Sequence, residues 1–532
     1  MNEIIVRFAP SPTGQVHIGN IRAAIFNWLF ARHNKGSFLL RVEDTDIERS
    51  TKEAIDALLD CMNWLGLNYD GEILYQTSRA KEHIEAALKM KDSGNAYYPP
   101  AKDGEKTPLV FRIPWDCENI SAVRNAGNAE IDLSPDTPVL VNETGITFAQ
   151  LSKKGAPVQR SSCLAGFREM KLFNSSGNLV FELEKEIGNV LDGKASFSFD
   201  NCSKVQFLRR EVVFTDIIKG ELAKPLDSMK DLVIVRSDGT PVFHMANVCD
   251  DIIQKVTHII RGDDHVENTY RHIFLFNALD YPVPQYAHLP MIVNASGKPY
   301  SKRDGDAFVG DFRDKGYFAD ALFNYLALLG WSPGDDREKL SKDELVELFS
   351  LERVKSAPAQ FDINKLFNMN GLYLAEMPQG TFTEYAWDIV KSEPWVQNAD
   401  KKFFERVAAL LQSRTKLITQ VKDWGYFFTD DVEYDLKAAK KNLGKEDVKN
   451  AIQVLLDSFA SSTAEFTLQF IEEETRKAEK TAGLAEGKLN QPLRIAATGC
   501  SVGAGIYETI HMLGKTRTIA RLKKALSLNL SE

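Results

Sequence analysis

The sequence predicts an α/β chain: a doubly wound parallel sheet, interrupted by a β-rich insertion and followed by an all-helical region. Three observations carry this. β-type runs alternate with helical spacing over residues 1 to about 100; from about 101 to 205 the pattern breaks into short β-like pieces between Asn, Asp, Ser and Gly; beyond about 376 helical periodicity dominates. Ligands of such sheets bind beyond the carboxyl ends of the strands, so the residues that follow each strand are candidates for a site.

The first strand, Ile4-Ile5-Val6, runs into Arg7-Phe8-Ala9-Pro10-Ser11-Pro12-Thr13-Gly14-Gln15-Val16-His17-Ile18-Gly19-Asn20. Two prolines stiffen this turn, while Gly14 and Gly19 leave the backbone free to approach a ligand. Apolar residues then fall at Ile21, Ala24, Ile25, Trp28 and Leu29, so a helix starts beside His17. Free N–H groups and the positive dipole end there suit an anion, to which the imidazole adds a donor; a helix cap is the plainer reading of the same residues. Ser37-Phe38-Leu39-Leu40-Arg41-Val42 is the second strand, ending in Glu43-Asp44-Thr45-Asp46 before a helix expected over Glu48 to Leu65.

From residue 206 on, strands are expected at Leu232–Arg236, His258–Arg261 and His288–Val293, with a helix starting at Phe243 and turned to the cleft. Gly262-Asp263-Asp264-His265 follows one strand, and the basic loop Gly297-Lys298-Pro299-Tyr300-Ser301-Lys302-Arg303-Asp304-Gly305 follows the last. Helices are expected over Phe403 to Val421 and Asp447 to Ala460, and two basic helix faces stand out: Lys437, Lys440, Lys441 and Lys445, then Arg517, Arg521, Lys523 and Lys524.

Bulk properties narrow the class. With 532 residues, several cores are needed. The net charge of −9 argues against nonspecific coating of nucleic acid and leaves room for docking one RNA through local patches. Six cysteines scattered singly give neither a disulfide framework nor zinc-ribbon spacing, and no apolar run approaches the roughly 18 residues of a membrane span, so a reducing cytoplasm is the expected setting.

The string Arg7 to Asn20 resembles the first signature of glutamyl-tRNA synthetases, their form of the class I "HIGH" motif, and Ser301-Lys302-Arg303 resembles the second, the "KMSKS" loop, in which Pro299 stands for the first lysine. The resemblance implies a Rossmann-type catalytic domain in two halves (1–100 and 206–330) around an acceptor-stem-side insertion (101–205), a stem-contact region (331–375) and a helical anticodon-binding domain (376–532). It implies a ligase that activates L-glutamate with ATP and Mg²⁺ and transfers it to tRNA(Glu), acting as a monomer; a synthetase that also charges tRNA(Gln) and an idle tRNA-binding paralogue stay open. His17, Ser301 and Lys302 would be catalytic, with Gly19, Asp264, Met291 and Arg303 also holding ATP. Arg7, Ala9, Ser11, Glu43, Phe243, Asn247 and Arg261 would line the glutamate pocket, Phe243 replacing the usual Tyr. No zinc is expected, because Tyr97-Tyr98-Pro99-Pro100 offers no ligands where some members carry a Cys/His site.

Overall fold

The computed structural model describes residues 3–12, 14–45, 50–101, 105–397 and 399–529. The chain divides into two compact units, Met1–Gly310 with Leu326–Phe361, and Asp311–Tyr325 with Asp362–Glu532.

The first unit is organised by parallel strands. β1 (Ile5–Phe8) leads into helix α1 (Ile18–His33) and returns as β2 (Ser37–Val42), which pairs with the short β3 (Leu74–Tyr75). Val6 and Phe8 of β1, and Phe38, Leu40 and Val42 of β2, are buried, as strands covered on both faces require. The second half supplies β4 (Cys202–Asp216), helix α2 (Phe243–Ile253), β5 (His258–Gly262), helix α3 (Val266–Ala278) and β6 (Gln285–Leu289). β6 pairs in parallel with β5 and, at Tyr286, with Asp216 at the end of β4. The two halves meet where the Thr257 N–H donates to the Ile5 carbonyl (2.9 Å) just before β5.

The intervening segment is β-rich, as expected. Strands Phe197–Phe199, Val139–Asn142, Gly145–Leu151 and Pro157–Ser162 form one antiparallel sheet, and β4 carries Val123–Asp132 and Arg168–Asn174 along its early residues. Phe148, Phe167, Met170, Leu172 and Phe207 fill a core of their own there. The described elements of the second unit are helices around Phe404, Trp424, Phe427, Phe459 and Leu493. No helix among the described residues is long and apolar enough to cross a membrane.

Four local expectations change. His288–Val293 is not one strand: Pro290 has no N–H to donate, β6 stops at Leu289, and the separate pair Ile292–Val293 joins Ala359–Gln360. Leu232–Val235 is a strand, but it pairs antiparallel with Leu109–Phe111 in a small separate sheet. The helix from Phe403 is broken: Lys401–Leu411 is α-helical, and Gln412–Arg414 and Ile418–Phe427 are 3₁₀. Side chains compete with the helical ladder there, Gln412 donating to the Leu374 and Met377 carbonyls and Gln420 accepting from the Lys416 and Leu417 amides. The helix expected from Glu48 begins at Lys52, capped by Thr51; Asp46 to Arg49 lie outside the described residues.

Candidate active site

A cleft of about 640 Å³ opens at the carboxyl ends of β1, β2, β5 and β6. Arg7, Ala9, Ser11, His17, Gly19, Glu43, Phe243, Asn247, Arg261, Asp264 and Met291 all line it. Residues far apart in sequence are thus gathered by the strand order and by the starts of α1 and α2. Ser301, Lys302 and Arg303 do not line it; they follow Pro299 and Tyr300, which do.

One side is a buried charge network. Arg7 faces the side of the sheet that Leu39 and Arg41 face, because it pairs with Leu39 and side chains two apart share a face. Both guanidiniums converge on Asp251 of α2: Arg7 Nε donates to Oδ1 at 2.8 Å and Arg41 Nη1 to the same atom at 2.6 Å. Arg41 Nη2 reaches Glu43 Oε1 at 3.5 Å, which also accepts from Asn247 Nδ2 at 2.8 Å. All five side chains are buried. Burial raises the Asp251 carboxyl, but Arg41 and Arg7 outweigh it and hold it below the usual range; for Glu43 burial wins over Arg41 and Arg7, and its pKa is raised. Arg261 faces the same space with no ion pair among the described residues, its pKa lowered to about 10 by burial and so still cationic at neutral pH. Phe243 stacks on His265 with ring centroids 6.3 Å apart.

The other side is the turn into α1. His17 is the N-cap: the Gly19 N–H donates to its Nδ1 at 3.0 Å, which places the imidazole proton on Nε2. Burial lowers the His17 pKa, a hydrogen bond with the Tyr300 backbone opposing it, so the ring is neutral at pH 7. A side chain on Gly19 would press within 3.2 Å of His17 Nδ1, so the glycine keeps the cap open. Gly14 takes φ +123°, a conformation open to glycine. The Pro10 carbonyl accepts from the Glu43 N–H (3.0 Å), tying this turn to the end of β2.

The basic loop is anchored to that turn. The Val309 N–H donates to the Val16 carbonyl (3.0 Å) and the Ile18 N–H to the Ala307 carbonyl (2.9 Å), with His17 and Phe308 bridged between them. The Phe308 ring meets His17 edge-on at 6.1 Å, and Lys302 Nζ lies 5.7 Å from the same ring centroid. Ser301 Oγ and its N–H both donate to Asp304 Oδ2, while Lys302 and Arg303 are exposed. Arg22 of α1, buried in the cleft floor, donates to the carbonyls of Pro290 and Leu329. Arg41, Asp251, Arg22 and Phe308 escape sequence reading: each is an ordinary strand, helix or loop residue until its partner, tens to hundreds of positions away, is known.

In the second unit the helix Leu436–Leu443 exposes Lys437, Lys440 and Lys441. The second basic face expected near the end is largely spent internally. Arg521 is buried and donates to the Ala497, Tyr426 and Thr429 carbonyls, Arg517 pairs with Asp430, and Lys524 with Asp431. Arg521, with Arg517 donating to the Phe427 carbonyl, satisfies backbone carbonyls at and just past the ends of neighbouring helices.

Residues 3–105 and 202–368 match the family described as tRNA synthetases class I (E and Q), catalytic domain, and residues 381–526 match the anticodon binding domain. A glutamate–tRNA ligase of Geotalea uraniireducens (strain Rf4) is 36% identical over 531 residues, 99% of each chain. One of Francisella tularensis subsp. novicida (strain U112) is 34% identical over 527 residues, 98% of this chain and 99% of the relative. In fold, the crystal structure of a glutamate tRNA ligase from Elizabethkingia meningosepticum, in complex with its amino acid, superposes with a TM-score of 0.66 at 24% identity, covering 99% of both chains. The chain belongs to the glutamate–tRNA ligases, a family of class I aminoacyl-tRNA synthetases.

Proposed function

We propose that this cleft is where the ligase activates its amino acid, with glutamate between Arg7, Glu43, Asn247 and Arg261 and ATP between the turn at His17 and the loop at Lys302. The observation that carries the reading is a single cleft with two guanidiniums, a carboxylate and an amide on one wall and a helix N-terminus capped by a neutral imidazole on the other.

The α-carboxylate of glutamate attacks the α-phosphate of ATP, pyrophosphate leaves, and the 3′ end of tRNA(Glu) then displaces AMP from the adenylate. No protein nucleophile is needed; the residues orient and stabilise charge. Glu43 Oε1 is occupied by Asn247 and Arg41, which leaves Oε2 for the ammonium group of the amino acid. Arg261, with no carboxylate partner among the described residues, meets an acidic side chain; glutamine would turn an NH₂ toward its donors, costing about 1–3 kcal/mol for each buried donor left unpaired. His17 and the positive end of the α1 dipole face the phosphates, Met291 and Asp264 flank the nucleotide, and Ser301, Lys302 and Arg303 meet it from the loop. Mg²⁺ accompanies the nucleotide, screening the phosphate charge as it does with nucleotide substrates in general. Lys437, Lys440 and Lys441 contact tRNA, and the chain acts as a monomer.

The test is glutamate-dependent ATP–pyrophosphate exchange with purified tRNA(Glu), with tRNA(Gln), and without RNA. Exchange with glutamate and tRNA(Glu), and none with glutamine, is expected. An Arg261→Gln enzyme with unchanged KM for glutamate would show that the amino acid binds elsewhere.

A further inference from the structure

Arg261 is held in a different way from Arg7. Its Nε–H points to His288 Nε2 at 3.4 Å, and its Nη2 donates to Thr269 Oγ1 at 2.7 Å and to the His265 carbonyl at 3.2 Å. Thr269 Oγ1 is in turn 3.0 Å from His288 Nε2. On the far side of the imidazole, His288 Nδ1 lies 2.7 Å from Asp216 Oδ2, which also accepts the His288 N–H at 3.0 Å. Asp216 Oδ1 takes the N–H groups of Ile218 and Lys219, both at 2.9 Å. Asp216, Thr269 and His288 are all buried.

These contacts fix the tautomer. A carboxylate that already accepts from three N–H groups can only accept from the ring, so Nδ1 carries the proton and Nε2 presents its lone pair. That lone pair faces Arg261 Nε–H and the Thr269 hydroxyl, whose own oxygen accepts from Arg261 Nη2. Two of the three guanidinium nitrogens are committed, and Nη1 is left for the cleft that Arg261 lines. A carboxylate in place of His288 would orient Arg261 equally well but cancel its charge. A neutral acceptor backed by a remote carboxylate orients it and keeps the charge available.

We propose that His288, held by Asp216, is a positioning residue that presents Arg261 Nη1 to the substrate carboxylate, a role that rests on Arg261 lying in the glutamate pocket. His288 does not itself line the cleft, and nothing in the local sequence His288-Leu289-Pro290 separates it from a structural strand residue.

The test measures KM for glutamate, KM for ATP and kcat in tRNA-dependent ATP–pyrophosphate exchange for His288→Leu, His288→Gln, Thr269→Val and Arg261→Gln. Losing the acceptor to a charged donor should raise the glutamate KM of His288→Leu about tenfold or more, with ATP KM and kcat at saturating glutamate within about twofold. His288→Gln, able to turn its amide oxygen to Arg261 and its NH₂ to Asp216, should recover to within about threefold of the parent. Thr269→Val should raise the glutamate KM about threefold and decides the matter if His288→Leu fails to fold. Arg261→Gln raising the glutamate KM while His288→Leu and Thr269→Val leave it unchanged overturns the relay alone. Equal changes in both KM values for His288→Leu, without recovery by Gln, also overturn it, since they mark a general packing defect. An unchanged KM in Arg261→Gln overturns the pocket reading itself.

Discussion

On one wall of the cleft the polar groups hang from β1, β2, α2 and β5, and each is closed on a buried partner; beside the opposite wall, Ser301, Lys302 and Arg303 stand on an exposed loop tied down by backbone bonds to residues 16–18 and from the Tyr300 N–H to the Ile292 carbonyl. Asp251 accepts from two arginines at 2.8 and 2.6 Å, whereas Lys302 is exposed, with a ring 5.7 Å from its Nζ. The first wall is assembled by folding, since two of its three buried cations, Arg7 and Arg41, and its two buried carboxylates must be matched before the sheet can close. The second is left uncompensated, so its charge is available to a ligand. Changes on the first wall should therefore cost stability together with activity, and changes on the second should cost activity alone.

The most severe way to break that contrast is Asp251→Ala, which strands Arg7 and Arg41 in the core. A loss of about 3–5 kcal/mol in unfolding free energy is expected, read by urea denaturation, and an unperturbed midpoint would mean the network is not structural. Lys302→Ala is the counterpart on the open wall: kcat in exchange should fall about 10²- to 10³-fold with the denaturation midpoint unchanged. A coupled loss of stability would erase the distinction between the walls.

pH sharpens it. The folded pKa of His17 lies below the ordinary 6.5. Below 6.5 the unfolded chain therefore binds more protons, and the stability that neutral His17 contributes declines as pH falls toward the folded pKa. Protonating Nδ1 also expels the Gly19 N–H from the cap, so exchange activity should fall on the acid side with a midpoint below 6.5. An activity limb centred above 6.5 would contradict the geometry. The smallest effect belongs to Phe243→Tyr, whose added hydroxyl supplies one polar contact to the pocket: about 1 kcal/mol, or roughly a fivefold lower glutamate KM, is expected, with ATP KM unmoved.

The parallel sheet and the helical end were legible in the chain because each has a periodicity of its own, the β-rich insertion because that periodicity breaks there into short pieces between Asn, Asp, Ser and Gly, and the strand-end positions of Arg7, Glu43 and Asp264 followed from reading where β runs stop. His288 shows where that reading ends. Counted as part of one strand running to Val293, it carries no signal; only the break at Pro290 and the neighbouring end of β4 set it between Asp216 and Arg261. Arg521 errs the other way, a cation on a basic helix that looks free until the carbonyls around it are located.

By itself the sequence determined which local structures form and which loops interrupt them, since hydrophobic spacing, proline and glycine act within a few residues. Tertiary structure decided which charges are spent and which remain for a ligand. Asp251 lies 244 positions from Arg7 and Asp216 lies 72 from His288, and an ion pair or a tautomer is set by distance in space, on which separation along the chain has no bearing.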